Sequence, residues 1–251
     1  MVEGLEKFRE YFTGYEEHYV LIGGVACALA LEEAGAVFRP TTDLDIVLCA
    51  EAKTSDFAKH FWAFVEEGQY EHRGKSEGEK QFFRFKKPKV EGFPCELELF
   101  SKLPDSLEGD FPGPFIPIPT DEEIESLSAI LLDSGYYEFL VGGIVNIGGL
   151  PVVGPVHLIP LKARAWLDMT ARKTDDSKKI KKHKRDVFRL YQIIAPDFED
   201  EMPDQVRKDV AEFLERMPSE PLDADFDSAK LKGQSHDEVL EALHKMYVDR
   251  G

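Results

Sequence analysis

Residues 18–48 place the tightest constraint on the fold. His18 to Ile22 reads as a strand running into Gly23-Gly24. Val25 to Ala34 reads as a helix rich in Ala and Leu, stopped by Gly35, and Thr42 to Leu48 as the next strand. Side chains alternate faces along a strand, so Asp43 and Asp45 share one face while Leu44 and Ile46 take the other. A strand–helix–strand unit with one acidic and one apolar sheet face needs helices to cover the sheet, which confines the chain to layered folds of sheet and helix.

The rest of the chain extends that unit. Leu5 to Phe12 predicts a first helix. Ser55 caps a helix running to Glu67 and ending at Gly68. Gln69 to Arg73 and Gln81 to Lys86 read as strands around the charged turn Gly74 to Gly78, and Cys95 to Phe100 as another. Residues 103–119, rich in Pro, Gly and acid, read as a surface loop, and Asp121 to Leu132 as a helix. Tyr136 to Val141 and Ile144 to Ile147 read as short strands, with Gly142-Gly143 and Gly148-Gly149 as hairpin turns. From His157 onward the period is helical, at 158–172, 178–194, 204–216 and 235–248. The expected class is α+β: a mixed β-sheet flanked by helices over residues 1–155, then a helical C-terminal domain over 156–251.

The acids suggest chemistry. By strand rise Asp43 and Asp45 lie about 7 Å apart at the backbone, close enough to converge on a hard divalent cation such as Mg²⁺ or Mn²⁺. Cys95-Glu96-Leu97-Glu98-Leu99-Phe100 offers a third carboxylate. Glu98 is favoured because apolar neighbours flank it, as in a central strand; Glu96 shares its face and stands as substitute. Gly23-Gly24 lets backbone approach a phosphate closely. Asp-x-Asp alone is more often the mark of a strand with one wet face, so the site reading rests on the conjunction.

Composition limits the partners. A net charge of −17 over 251 residues opposes indiscriminate binding to nucleic acid. Between Lys162 and Arg189, however, eleven Lys and Arg stand against four Asp. The run Lys178 to Arg185 suits either a phosphate backbone or a solvated face. Cys27, Cys49 and Cys95 lie in apolar segments without a CxxC pair, as expected of buried thiols in a reducing cytoplasm. No apolar run is long enough for a membrane span, and the first ten residues lack the apolar core of a signal peptide.

The order Gly-Gly, helix, Arg39-Pro40-Thr41-Thr42-Asp43-Leu44-Asp45, then an acidic strand resembles the nucleotidyltransferase superfamily that includes polymerase β and the aminoglycoside nucleotidyltransferases. Residues Gly23 to Leu31 and Arg39 to Asp45 look most like its AbiEii-type branch, toxins of abortive-infection and toxin–antitoxin systems. Two later segments resemble that branch as well: Leu158 to Leu167, a lysine in an Ala/Leu-rich helix, and Lys182 to Leu190, Arg-Asp before an apolar helix.

The resemblance implies Mg²⁺-dependent transfer of a nucleotide from an NTP to an acceptor, which is tRNA for some relatives. It implies metal at Asp43, Asp45 and Glu98, and nucleotide at Gly23, Gly24, Thr42 and Lys162. Lys162 and Asp186 match the functional lysine and aspartate of the branch. A tRNA would meet residues 178–185, and an antitoxin is an expected partner. The third acid is Glu where the superfamily commonly has Asp, and the spacing from Gly24 to Asp43 is long. Two other readings are carried: an aminoglycoside-like small-molecule acceptor, suited to an acidic protein, and a nucleotide-binding protein without catalysis. For Asp186, pairing with Lys182 one helical turn earlier is the plain alternative.

Overall fold

The computed structural model describes residues 2–49, 55–71, 82–100, 134–172, 177–195, 201–231 and 233–249. The loop expected at 103–119, the helix expected at 121–132 and the turn at 74–78 lie outside these residues. The chain divides into two compact units: Met1–Thr120 with Ile144–Val153, and Asp121–Gly143 with Gly154–Gly251.

The first unit is built on a mixed sheet. Its elements are α1 (Leu5–Tyr11), β1 (Tyr19–Ile22), α2 (Gly23–Glu33), β2 (Asp43–Leu48), α3 (Ser55–Glu67), β3 (Phe82–Lys86) and β4 (Glu96–Phe100). Helix α4 (Ser134–Gly142) belongs to the second unit, and β5 (Ile144–Ile147) and β6 (Leu150–Val153) return to the first. The six strands are ordered β3-β4-β2-β1-β6-β5. Pairs β2–β4 and β1–β6 are parallel, and β1–β2, β3–β4 and β5–β6 antiparallel. With its flanking helices and the helical unit that follows, the chain is α+β.

The register sorts the side chains by face. Leu44, Leu97 and Phe85 lie in one row, and Leu21, Ile46 and Leu99 in the next, all on the apolar face. Helices α1 and α3 cover this face with rings: Phe8 meets Tyr19 edge-on at 5.4 Å and Phe61 meets Phe85 at 5.9 Å. Helix α3 buries Phe57, Phe61, Phe64 and Val65 at helical spacing and exposes Asp56, Lys59 and Glu66. Each buried ring contributes about 1.5–3 kcal/mol. Helix α2 is apolar all round and is buried from Gly23 to Leu31. The turn between β5 and β6 is Gly148-Gly149 with φ of 59° and 87°, the two-residue hairpin turn that requires positive φ twice.

The second unit is helical: α4, α5 (Pro155–Ala171), α6 (Ser177–Tyr191), α7 (Asp204–Arg216), a 3₁₀ turn at Met217–Ser219, α8 (Asp223–Ser228) and α9 (His236–Tyr247). Residues 136–141, expected as a strand, are helical. Tyr136, Tyr137, Phe139 and Leu140 are buried while Glu138 is exposed, which is the helical period despite a strand-like composition. Gly142-Gly143 accordingly is no hairpin turn but the end of α4. Gly143 lies flat on the His157 ring, whose Cγ a Cβ would meet at 2.1 Å.

Two features lock α5. Pro160 has no N–H for the carbonyl of Val156, and the Tyr247 hydroxyl of α9 donates to that oxygen instead, at 2.9 Å. Buried Asp209 of α7 accepts from Arg164 Nη1 of α5 at 2.8 Å and from the Tyr136 hydroxyl at 2.7 Å. Burial first, then that hydrogen bond, push the Tyr136 phenol up from its ordinary value. Helix α9 starts with a full capping box between Ser235 and Glu238. Among the described residues no helix is long and apolar enough to cross a membrane.

Candidate active site

The change from β1 to α2 happens at Gly23, whose φ of +67° disfavours any residue with a Cβ. A Cβ there would stand 1.6 Å from Asp45 Oδ2, so the missing side chain is the space the Asp45 carboxylate occupies. At Gly24 a Cβ would stand 2.5 Å from Thr41 Oγ1 and 3.6 Å from Arg39 Nη2. The first turn of α2 therefore packs against Asp45 and the segment carrying Arg39 and Thr41. Ile22 at the N-cap has no side-chain acceptor for the first-turn N–H groups. The positive end of the α2 dipole thus meets a carboxylate, a favourable pairing.

Opposite the apolar face, the sheet carries two rungs of charge. Asp43, Glu96 and Lys86 form one across β2, β4 and β3, and Asp45, Glu98 and Arg84 the other. Each rung holds two acids and a base. Thr42 Oγ1 donates to Asp43 Oδ1 at 2.8 Å. Arg84 Nε donates to Glu98 Oε1 at 2.7 Å and stands 2.6 Å from Glu96 Oε1, and its Nη2 also donates to Glu98. Lys86 Nζ lies 3.0 Å from Glu96 Oε1. Burial pushes the Glu98 carboxyl well above the usual carboxylate range, helped by the charge of Asp45 and a hydrogen bond shared with it; Arg84 opposes the shift. Asp45 and Glu98 thus meet beside Gly23, with Asp43 and Glu96 one rung away.

Asp43 and Asp45 supply the hard oxygens that Mg²⁺ or Mn²⁺ takes, on one half-buried face. Among the described residues, no three or more His, Cys, Asp or Glu are grouped as a ligand set. Glu98 is turned to Arg84 and Asp45. The aspartates offer the donor type that such an ion takes, and the third acid is engaged by a guanidinium.

Lys162 and Asp186 lie in the second unit, on α5 and α6. Asp186 is 0% exposed and Lys162 4%. Their charged atoms are 4.0 Å apart, and Arg189 Nη1 is 3.6 Å from Asp186. The two residues singled out by resemblance therefore face each other as a buried pair.

No family profile and no curated protein matches the chain. Among solved structures it is similar to an antigenic nucleotidyltransferase-like protein from Paracoccidioides brasiliensis, with 15% identity over 88% of this chain and 89% of that one, at a TM-score of 0.43.

The basic run at 178–185 departs from its expected role. Lys178 and Lys181 are exposed, but His183 and Lys184 are buried. Lys184 Nζ lies 2.8 Å from Glu220 and 3.2 Å from Asp225, and Arg185 Nε 3.0 Å from Asp225. The end of the run is an internal set of ion pairs binding α6 to α8, not a uniform phosphate-binding face. The acids that neutralise it come 36 to 40 residues later, too far for local patterning to show. Sequence reasoning also gave no role to Arg84, Arg39 or Thr41. The signal for Arg84 was available: a lone Arg in Phe82-Phe83-Arg84-Phe85, with the parity of a polar strand face.

Proposed function

We propose that this chain is a metal-dependent nucleotidyltransferase that moves a nucleotide from an NTP to a hydroxyl acceptor. The observation that carries the reading is the seat of Asp45 in the space left by Gly23, at the N-terminus of α2 and beside Glu98. A helix N-terminus whose N-cap has no side-chain acceptor offers N–H groups to a phosphate. Gly23, Gly24 and Thr42 bind the triphosphate there.

When bound, Mg²⁺ or Mn²⁺ held by Asp43 and Asp45 supplies charge neutralisation at the triphosphate. Glu98, the cross-strand neighbour of Asp45, takes the proton of the acceptor hydroxyl as its oxygen bonds to the α-phosphorus and pyrophosphate leaves. The resemblance assigns Lys162 to offsetting triphosphate charge and Asp186 to orienting it; within the helical unit the two are a buried pair. The chain contributes positioning and fixed charge, which is most of what this chemistry requires.

With radiolabelled NTP, Mg²⁺ and a pool of acceptors, Asp45→Ala is expected to lower labelling at least about a hundredfold, since even groups behind metal ligands are worth 10–100-fold. Equal labelling by both proteins sinks the reading. Lys162→Ala is expected to keep the fold, because Asp186 retains Arg189, and to weaken NTP binding roughly tenfold, the worth of one charge-assisted contact. Unchanged affinity by calorimetry contradicts that role.

One observation bears on the acceptor. With Lys184 and Arg185 tied to α8, the case for tRNA rests on Lys178, Lys181 and their neighbours, and a small cationic acceptor of aminoglycoside type gains ground on so acidic a protein. A salt-dependent tRNA shift supports the first, and an adenylylated aminoglycoside the second.

A further inference from the structure

Arg84 has no part in the transfer just described, yet it is the best-held cation on the acidic face. Its side chain is 11% exposed, while that of Lys86, the base of the other rung, is 42% exposed. Lys86 touches Glu96 at 3.0 Å from the rim. Arg84 instead reaches inward, and two donors of its fork converge on one oxygen of Glu98 while Nε also lies 2.6 Å from Glu96 Oε1. Asp45 stands on the other side of Glu98 and shares a hydrogen bond with it.

A planar guanidinium bound this way uses the lone pairs of Oε1, one of the two oxygens that a metal ion could take. It also places a full positive charge where a second cation would approach, at partial burial where charges are poorly screened.

Resting on the proposed metal site at Asp43 and Asp45, we infer that Arg84 is a resident counter-cation that competes with the divalent ion for Glu98. The ion first meets the two aspartates, and Glu98 joins it only as the guanidinium gives that carboxylate up. An arginine that merely braces the sheet has no effect of this sign, because its loss loosens the acids and weakens metal binding.

The test is Mn²⁺ titration of the full chain, with the free ion read by electron paramagnetic resonance and folding checked by circular dichroism. Arg84→Gln keeps an amide for Glu98 and removes the charge; it is expected to bind Mn²⁺ about tenfold more tightly, as removal of an adjacent cation requires. Lys86→Gln is expected to stay within about twofold of the unaltered protein, its charge being exposed and screened. Unchanged or weaker binding by Arg84→Gln overturns the inference. If that variant does not fold, the double variant Arg84→Gln/Glu98→Gln removes both competitor and contested group at constant net charge. Affinity within about threefold of the unaltered protein supports the competition, and a tenfold loss overturns it. Asp45→Ala separates the two levels. Binding abolished by Asp45→Ala but indifferent to Arg84→Gln defeats the inference and leaves the metal site standing. No Mn²⁺ binding by the unaltered protein defeats both.

Discussion

Gly23→Ala is expected to lower stability by about 3 kcal/mol and to abolish nucleotide binding. The backbone term comes from φ of +67°, which costs an L-residue about 1–2 kcal/mol. The packing term comes from Asp45, whose Oδ2 lies 1.6 Å from the new methyl position and its Cγ 2.6 Å; overpacking of this kind costs about 1–3 kcal/mol. The carboxylate has to rotate away from the N-terminus of α2, so stability and site geometry fail together. Gly24→Ala is the control. Its new methyl meets Thr41 Oγ1 at 2.5 Å, a side-chain atom that can swing aside, and its φ carries no left-handed strain. Urea unfolding with nucleotide titration checks the pair: a Gly23→Ala midpoint equal to that of Gly24→Ala contradicts the argument.

Asp186→Ala is expected to cost about 3–5 kcal/mol, the usual result of removing one partner from a buried ion pair. The carboxylate is 0% exposed and lies between Lys162 at 4.0 Å and Arg189 at 3.6 Å, so its loss leaves two cations, both largely buried, facing each other's charge. Asp186→Asn keeps a polar group of the same shape and is expected to lose less. Chemical denaturation checks both. A loss below about 1 kcal/mol for Asp186→Ala would place it with surface pairs, which are worth that much or less. Reading stability here is a condition for reading function, because an Asp186 variant that unfolds says nothing about its role in orienting Lys162.

Much of the architecture was legible where local pattern and tertiary contact agree. The helices expected at 158–172, 178–194, 204–216 and 235–248 correspond to α5, α6, α7 and α9 within a few residues, because each has a helical period and punctuation at its ends. Asp43 with Asp45, and Glu96 with Glu98, were readable as same-face pairs because strand parity is a local property. What the register added was non-local: Asp45 beside Glu98, Glu98 beside Arg84. Residues 136–141 misled because Tyr, Phe and Val favour strands, while the packing of Tyr136 on Asp209 is set 73 residues away. Helix α8 gave too short a signal, with six residues of which four are polar. The basic run misled for the same reason as the aromatic one, since Glu220 and Asp225 lie outside any local window.

The hydroxyl of Tyr247 bonding to Val156 oxygen has a consequence in time. The two residues are 91 positions apart, so the gap that Pro160 opens in α5 is closed by α9, the last helix among the described residues. During synthesis α5 emerges before α9 with an unanswered carbonyl in its first turn, and it waits for α9 before that group is satisfied. That turn of α5 is therefore fastened only after α9 has been made.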